Sequence, residues 1–189
     1  CLTCSFQTED VVVLHLLRHQ LGDSLFWHGI RHYLEKHAGG SVTTEDFRSA
    51  MEESSGQDLS RFFAQWVHGG GFPILRISFE YDSAARVVTL TARQVQHRDA
   101  ETGFFDAPVD IDVVTDAGPV RKVFSLRAQE VSEEQIQLLS PLRALQWDPH
   151  QLLGFDVQFR RPTHFLVYQL EHGDDDARRE AIQELQMRA

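Results

Sequence analysis

Ten histidines are spread over this 189-residue chain, and four of them form pairs that could chelate a metal ion. His15 with His19 and His28 with His32 are each four positions apart, which places both imidazoles on one helix face. A hydrolytic zinc helix needs His-Glu-x-x-His, in which the glutamate activates the metal-bound water. A leucine and a glycine replace that glutamate here, and no third ligand is indicated. We therefore assign neither pair to a metal and expect surface or partly packed histidines.

Cys1 and Cys4 have the spacing of a redox pair or of half a zinc knuckle. No second cysteine pair is present to complete a four-sulfur site, and no strand pattern precedes them as a redox motif requires. We expect two incidental cysteines. An independent metal or redox module, built from these cysteines and the histidine pairs, is one of three hypotheses for the function of this chain.

The chain has no Gly-x-Ser-x-Gly elbow, phosphate-binding glycine loop or dinucleotide fingerprint. Gly69-Gly70-Gly71 is followed by Phe72-Pro73 and a strand pattern, so it predicts a linker and not a phosphate site. Four aromatic residues at helical spacing are expected to anchor the core instead of lining a ligand site. They are Trp27, Phe62, Phe63 and Trp66.

The 18 basic and 28 acidic residues give a formal charge of −10, and the basic residues form no stripe. Nucleic acids and anionic membranes need clustered positive charge, so neither is an expected partner. We expect the basic pairs Arg160-Arg161 and Arg178-Arg179 to be solvated. No apolar run approaches the roughly 20 residues of a membrane span. These features favour a soluble protein. They do not indicate a compartment, and the cytoplasm is only the default assumption.

Hydrophobic periodicity predicts four helices between residues 9 and 67. The first covers 9–20 and the second 24–36. Thr43 and Asp46 have the spacing of a capping box that opens a third helix through Glu53. Asp58 opens the fourth. The period changes from helical to alternating after Gly71, which predicts a domain border.

Alternating patterns predict strands at 74–81, 86–96, 109–115 and 120–126, with further sheet elements at 145–147 and 152–159. Several strands without intervening helices predict an antiparallel β-sandwich. The helical period returns at Thr163 and predicts a closing helical hairpin, with helices at 165–170 and 177–187. The fold class is therefore α+β: a helical segment, then a sandwich, then a hairpin.

The helical stretch carries a dense set of residues in a characteristic order. They are Val13 to Asp23, Phe26-Trp27, Gly29-Ile30, Tyr33-Leu34, Gly40 to Thr44, Asp46-Phe47, Ala50-Met51-Glu52, Gly56, Leu59, Phe62-Phe63 and Gln65-Trp66-Val67. This order and spacing resembles the zinc aminopeptidases of the aminopeptidase N type. Pro73-Ile74-Leu75, Trp147-Asp148-Pro149 and the closing hairpin resemble later parts of the same family, so the resemblance covers nearly the whole chain.

The resemblance implies three parts. Residues 1–70 would close a thermolysin-like catalytic domain, 71–162 would form the β-sandwich domain, and 163–189 would begin a HEAT-like helical-repeat domain. It also implies zinc as cofactor and a peptide as substrate of the parent protein, with contacts from this chain to the missing catalytic half. The family's zinc motif is absent from this sequence, so we expect an internal fragment without metal ligands, bound cofactor or catalytic residues of its own.

One position at which the family carries a catalytic residue does fall within this chain. Members usually carry Tyr-x-Lys-Gly just before the helix that begins here near Val11, and the tyrosine stabilises the oxyanion of the tetrahedral intermediate. Gln7-Thr8-Glu9-Asp10 stands at those positions. The amide of Gln7 can donate a hydrogen bond, but its reach differs from that of a phenol. Loss of one oxyanion donor typically costs roughly 100- to 1,000-fold in rate.

The leading hypothesis is a fragment of a zinc-dependent aminopeptidase that is inactive alone. The rival hypothesis is a non-catalytic scaffold or interaction protein of the same family. Gln7 and the missing Lys-Gly motivate the rival.

Overall fold

The computed structural model describes residues 8–100, 102–149 and 156–188. The chain divides into two compact units, Cys1–Gly71 with Asp99–Gly103, and Phe72–Arg98 with Phe104–Ala189. Helices come first, two sheets follow, and a pair of helices closes the chain, which confirms the α+β class. No helix within the described ranges has the length and apolar character that crossing a membrane requires.

The first unit contains the four predicted helices, α1 (Thr8–Leu21), α2 (Asp23–Lys36), α3 (Thr44–Ser55) and α4 (Ser60–Trp66). Gly22, at φ 77°, lets α2 begin directly after α1 ends, because glycine adopts positive φ without strain. The predicted capping box is confirmed. The Asp46 backbone N–H donates to Thr43 Oγ1 at 3.2 Å, and the Thr43 backbone N–H donates to Asp46 Oδ2 at 2.8 Å.

Helices α2 and α3 pack at a point where α2 has no side chain. Gly29 is buried in the middle of α2, and a Cβ placed on it would lie 2.5 Å from Met51 Sδ and 2.8 Å from Ser54 Oγ, both on α3. Met51 is fully buried, so its thioether has no free space into which to withdraw. The absence of a side chain at Gly29 therefore sets how closely the two helices approach.

We predict that Gly29→Ala lowers the free energy of unfolding by about 1–2 kcal/mol. Overpacking a close contact typically costs about 1–3 kcal/mol, and the better helix propensity of alanine offsets up to about 1 kcal/mol of that cost. Gly40→Ala is the matched control, because the nearest atom to its added Cβ is 3.6 Å away. Urea unfolding of both variants measures the difference. A Gly29→Ala chain as stable as the parent would contradict this account of the packing.

Among its described residues, the second unit contains seven strands in two sheets. The strands are β1 (Ile74–Asp82), β2 (Val87–Gln94), β3 (Ala107–Thr115), β4 (Gly118–Leu126), β5 (Val131–Gln137), β6 (Leu142–Trp147) and β7 (Asp156–Phe159). One sheet has the order β5-β2-β1-β7 and the other β4-β3-β6. Alternate residues are buried along most strands; in β3 they are Ala107, Val109, Ile111, Val113 and Thr115. The predicted sandwich is confirmed, with one difference: β7 runs parallel to β1, whereas the other pairs are antiparallel.

Strand β5 was not predicted from the sequence. Its seven residues contain two glutamates, two glutamines and a serine, and it lies at the edge of its sheet. Ser132 and Ile136 are buried, whereas the intervening residues are exposed or half-buried. A serine on the buried face hides the period-2 pattern on which strand prediction depends.

The chain closes with helices α5 (Thr163–His172) and α6 (Asp175–Gln186), which confirm the predicted hairpin. Arg161 precedes α5 and is only 5% exposed, so the prediction that this arginine is solvated is wrong. Its guanidinium donates to Glu184 Oε2 at 2.7 Å, to Glu180 Oε2 at 3.1 Å and to Gln169 Oε1 at 3.1 Å. One buried cation thereby connects the end of the sheet to both helices.

Candidate functional site

Three residues that the sequence offered as candidates for metal binding, redox chemistry or catalysis lie outside the described ranges. They are Cys1, Cys4 and Gln7. The cysteine pair and the glutamine at the oxyanion position therefore stay as predictions from the sequence.

The two histidine pairs lie on α1 and α2. His15 and His28 are exposed, whereas His19 and His32 are half-buried. His32 Nε2 lies 2.9 Å from Glu53 Oε2 on α3. One histidine of the second pair, His32, therefore already contacts a carboxylate of the neighbouring helix.

The described part of the chain brings no group of three or more histidine, cysteine, aspartate or glutamate side chains together in a way that could hold a metal ion. A catalytic zinc site needs three protein ligands and a structural site needs four. The donor set in these ranges does not fit zinc, so we derive no catalytic step through a metal bound to this chain.

Charged side chains do converge between α2 and α3, in what we call the Glu53 cluster: His32, Lys36 and Glu53. Lys36 Nζ donates to both carboxylate oxygens of Glu53, at 2.7 and 2.8 Å. The hydrogen bond from His32, followed by those from Lys36, holds the pKa of Glu53 below its ordinary value of 4.5. A carboxylate with a lowered pKa is a weak base, so this cluster suits an interhelical ion pair and not proton abstraction.

We predict that Glu53→Gln lowers the melting temperature at pH 7 and that the difference from the parent shrinks in acid. Because the folded-state pKa of Glu53 is lowered, its stabilising contribution is present above pH 4.5 and disappears as pH falls through that lowered pKa. Glu35→Gln is the control, since Glu35 is exposed on α2, the helix that carries His32 and Lys36. Thermal scans between pH 7 and pH 2.5 measure the effect. A difference that stays constant over this range would contradict the assignment.

The helical unit also exposes large apolar side chains. Trp27 is 47% exposed and Leu34 is 61% exposed, both on α2, and Leu14 on α1 is 36% exposed. The prediction that Trp27 anchors the core is therefore wrong, whereas Phe62 and Phe63 are buried as predicted. Arg18 lies over the Trp27 ring, with its guanidinium carbon 5.6 Å from the ring centroid. Exposed apolar groups on adjacent helices are typical of a surface that another protein segment covers.

Sequence reasoning missed the importance of Glu53 and Arg161. Glu53 gives no local pattern, because its partners lie 17 and 21 positions earlier in the chain. Arg161 had a usable pattern: Glu180 and Glu184 are four positions apart in a predicted helix, so both carboxylates lie on one face and could receive a shared cation.

Comparison with a protein-family model matches residues 8–66 to the "Peptidase family M1 domain". These bounds coincide with the start of α1 and the end of α4. The match therefore contains all four helices of the first unit and excludes the strands of the second.

Among curated proteins, Aminopeptidase N of Escherichia coli is 35% identical over 92 residues, which are 49% of this chain and 10% of that protein. Transcription initiation factor TFIID subunit 2 of Saccharomyces cerevisiae is 34% identical over 77 residues, 37% of this chain and 6% of that protein. This chain thus spans about a tenth or less of the length of these two relatives.

Among solved structures, the crystal structure of Legionella pneumophila aminopeptidase A in complex with aspartic acid superposes with a TM-score of 0.72. The match covers 90% of this chain and 20% of that chain, at 20% sequence identity. At this identity the likeness concerns the fold, and it extends through both units.

Proposed function

Because the chain belongs to peptidase family M1, we propose that it is part of a zinc-dependent aminopeptidase, a hydrolase that removes N-terminal residues from peptides. In this proposal, residues 1–70 complete the catalytic domain, 71–162 form the β-sandwich domain and 163–189 begin a helical-repeat domain. The zinc ligands and the general base come from residues beyond this sequence, which contains no His-Glu-x-x-His motif. The chain alone is then inactive.

The observation that carries the proposal is the coincidence of the family match with the helical unit. The match begins at the first residue of α1 and ends at the last residue of α4. A chance similarity would not be expected to begin and end with a packed unit whose helices share a buried core of Leu17, Phe26, Met51, Leu59 and Phe63. The similarity therefore reflects this unit as a folded structure.

The exposed apolar side chains of α1 and α2 fit the same proposal. We refer to the three exposed side chains Leu14, Trp27 and Leu34 collectively as the α1–α2 apolar surface. In α1, Leu16, Leu17 and Leu21 are buried, although Leu14 is exposed. A helix with apolar residues on several sides is expected to be covered on several sides. We infer that the remainder of the catalytic domain covers this surface and that the contact keeps the four helices in place.

Gln7 is the residue through which this chain would influence the reaction. In the proposed parent enzyme its amide N–H takes the place of the family's tyrosine as hydrogen-bond donor to the developing oxyanion. An amide is shorter than a phenol and places its donor differently, so the stabilisation of the transition state is reduced. We therefore expect a slow enzyme, with substrate binding less affected than turnover.

A chimera tests the proposal without the rest of the natural protein. The segment of E. coli Aminopeptidase N that aligns with residues 7–66 is replaced by those residues of this chain. We predict measurable release of the chromophore from an aminoacyl-4-nitroanilide, and a rise in kcat of about 100- to 1,000-fold on Gln7→Tyr with little change in KM.

Thr8→Tyr in the same chimera is the control, because it adds the same phenol one position away. A chimera that folds but is inactive with both Gln7 and its tyrosine replacement would contradict the aminopeptidase proposal. Equal rates for the Gln7→Tyr and Thr8→Tyr variants would contradict the position assigned to Gln7. Circular dichroism separates these results from a failure to fold.

The second candidate is a non-catalytic member of the family that keeps the fold as a scaffold. Its specific support is the 34% identity to TFIID subunit 2, a relative whose name is that of a transcription initiation factor subunit. Under this alternative, the α1–α2 apolar surface still docks on a neighbouring segment, but the zinc motif upstream of this chain is degenerate. The coding sequence that precedes Cys1 therefore distinguishes the two candidates.

A further inference from the structure

Strand β4 lies at the edge of its sheet, and part of its free edge is uncovered. The sheet has the order β4-β3-β6, so β4 pairs with β3 on one side only. All residues from Pro119 to Val123 are exposed, although their partners on β3 include the fully buried Ile111 and Val113. Val120 is 45% exposed and Val123 is 55% exposed. We call residues 119–123 the open edge.

The geometry of the β3–β4 hairpin determines which backbone groups of the open edge point away from β3. The hairpin has a two-residue turn, so its closing pair is hydrogen-bonded and the pairs alternate from there. Val120 and Lys122 therefore bond to β3, whereas Arg121 and Val123 direct their N–H and C=O groups outward. Pro119 also falls at an outward position, where its missing N–H costs the ladder nothing.

Neighbouring contacts support the outward position of Val123. Ser125, two residues later, donates its backbone N–H to Glu134 Oε1 on β5 at 2.8 Å, so it points away from β3. Asp110 is the β3 partner of Val123, and its backbone C=O accepts from the backbone N–H of Asp148, which follows β6, at 2.9 Å. The backbone of Asp110 therefore bonds toward β6 and leaves Val123 free to bond outward.

Side chains of β5 cover the later part of this edge but not the open edge. Ser132 Oγ accepts the backbone N–H of Arg127 at 3.0 Å, beside the contact of Glu134. Among the described residues, none accepts the backbone N–H of Arg121 or Val123. Unpaired N–H and C=O groups along a strand edge are a template on which another strand can add.

The charge of the open edge indicates which kind of strand fits there. The segment contains Arg121 and Lys122 and no acidic residue, in a chain whose formal charge is −10. Arg121 donates to both carboxylate oxygens of Asp112, each at 2.9 Å, whereas no described carboxylate forms an ion pair with Lys122. Opposite charges on adjacent strands stabilise their pairing. A strand with a carboxylate beside Lys122 and apolar side chains beside the two valines therefore fits.

A second copy of β4 fits this edge poorly. In the antiparallel register that pairs the whole open edge with itself, Arg121 faces Arg121 of the other copy. A shift of two residues in one direction makes Lys122 face Lys122, and a shift in the other direction places Pro119, which has no N–H, opposite Arg121. Like charges directly opposite each other destabilise a strand pair. The basic residues thus oppose self-association, while they admit an acidic strand.

We propose that the open edge of β4 binds an extended, acidic segment of another protein, which adds a strand to the sheet β4-β3-β6. The backbone groups of Arg121 and Val123 provide the hydrogen bonds, and Lys122 selects a carboxylate. The proposal concerns the second unit alone and does not depend on the peptidase assignment. It explains why valines are exposed on both faces of one half of a strand whose other half is covered.

Hydrogen exchange of the full 189-residue chain, followed by nuclear magnetic resonance, tests the proposal. The probe is the peptide acetyl-Thr-Glu-Val-Glu-Val-Glu-Thr-amide. The control peptide has proline in place of both valines, so it keeps the charge but cannot pair as a strand. At about ten times its dissociation constant, the probe should slow exchange at the backbone N–H of Arg121 and Val123 by about tenfold. Val120 and Lys122 are internal references, because β3 protects them with or without the probe.

Variants of the chain locate the contact. Lys122→Glu replaces an attraction by a repulsion and should weaken binding of the probe by about tenfold. Arg31→Glu makes the same change of charge at an exposed arginine of α2 and should leave binding unchanged. Val123→Pro removes one outward N–H without removing a bond to β3, and it should abolish the slowed exchange at Arg121. Circular dichroism shows that each variant is folded.

Three results would overturn the proposal. They are unchanged exchange at Arg121 and Val123 when the probe is added, an equal effect of the proline peptide, and equal weakening by Lys122→Glu and Arg31→Glu. Slow exchange at these two N–H groups before any peptide is added would mean that the edge is already covered, by a second copy if the chain sediments as a dimer. That result would also overturn it.

Discussion

The approach of α2 to α3 is the contact on which the helical unit depends. Gly29 leaves room for the Met51 thioether in the buried contact between the two helices, which we call the seam. The Glu53 cluster joins the same two helices outside the seam. The two interactions differ in kind. The seam tolerates almost no added volume, because protein interiors are close-packed. The cluster is half-exposed, so solvent weakens it, and it adjusts the stability of the unit without determining its geometry.

Because α2 packs on α3 through one face, its other side chains remain available for further contacts. Trp27 and Leu34 lie on this helix and are about half exposed or more. An account of the chain as part of a larger catalytic domain explains both facts: the seam forms the unit, and the α1–α2 apolar surface joins it to the rest. The same account explains why chemistry is scarce in the described residues. In this proposal, the unit supports a site whose reacting groups lie in other parts of the parent protein.

In the second unit, a buried cation has the corresponding role. Arg161 contacts α5 through Gln169 and α6 through Glu180 and Glu184. A buried charge is costly unless it is paired and hydrogen-bonded, and here the pairing fixes where the closing helices lie.

The sequence predicted the elements well where local rules determine them. The capping box at Thr43 and the helical hairpin follow from neighbouring residues, and alternation revealed β3 clearly. Strand β5 escaped because a serine occupies its buried face, and pairing with β2, far away in sequence, decides its conformation. The burial of Arg161 and the exposure of Trp27 could not be inferred, since each depends on which residues tertiary packing brings near.

The most direct measurement of the central claim is the coding sequence that precedes Cys1 in the source transcript. The account predicts an uninterrupted reading frame that encodes His-Glu-x-x-His and a downstream glutamate, the residues that supply the zinc ligands and the general base. A frame in which that motif is broken, or one that opens at Cys1, would contradict the aminopeptidase assignment and leave the scaffold in its place.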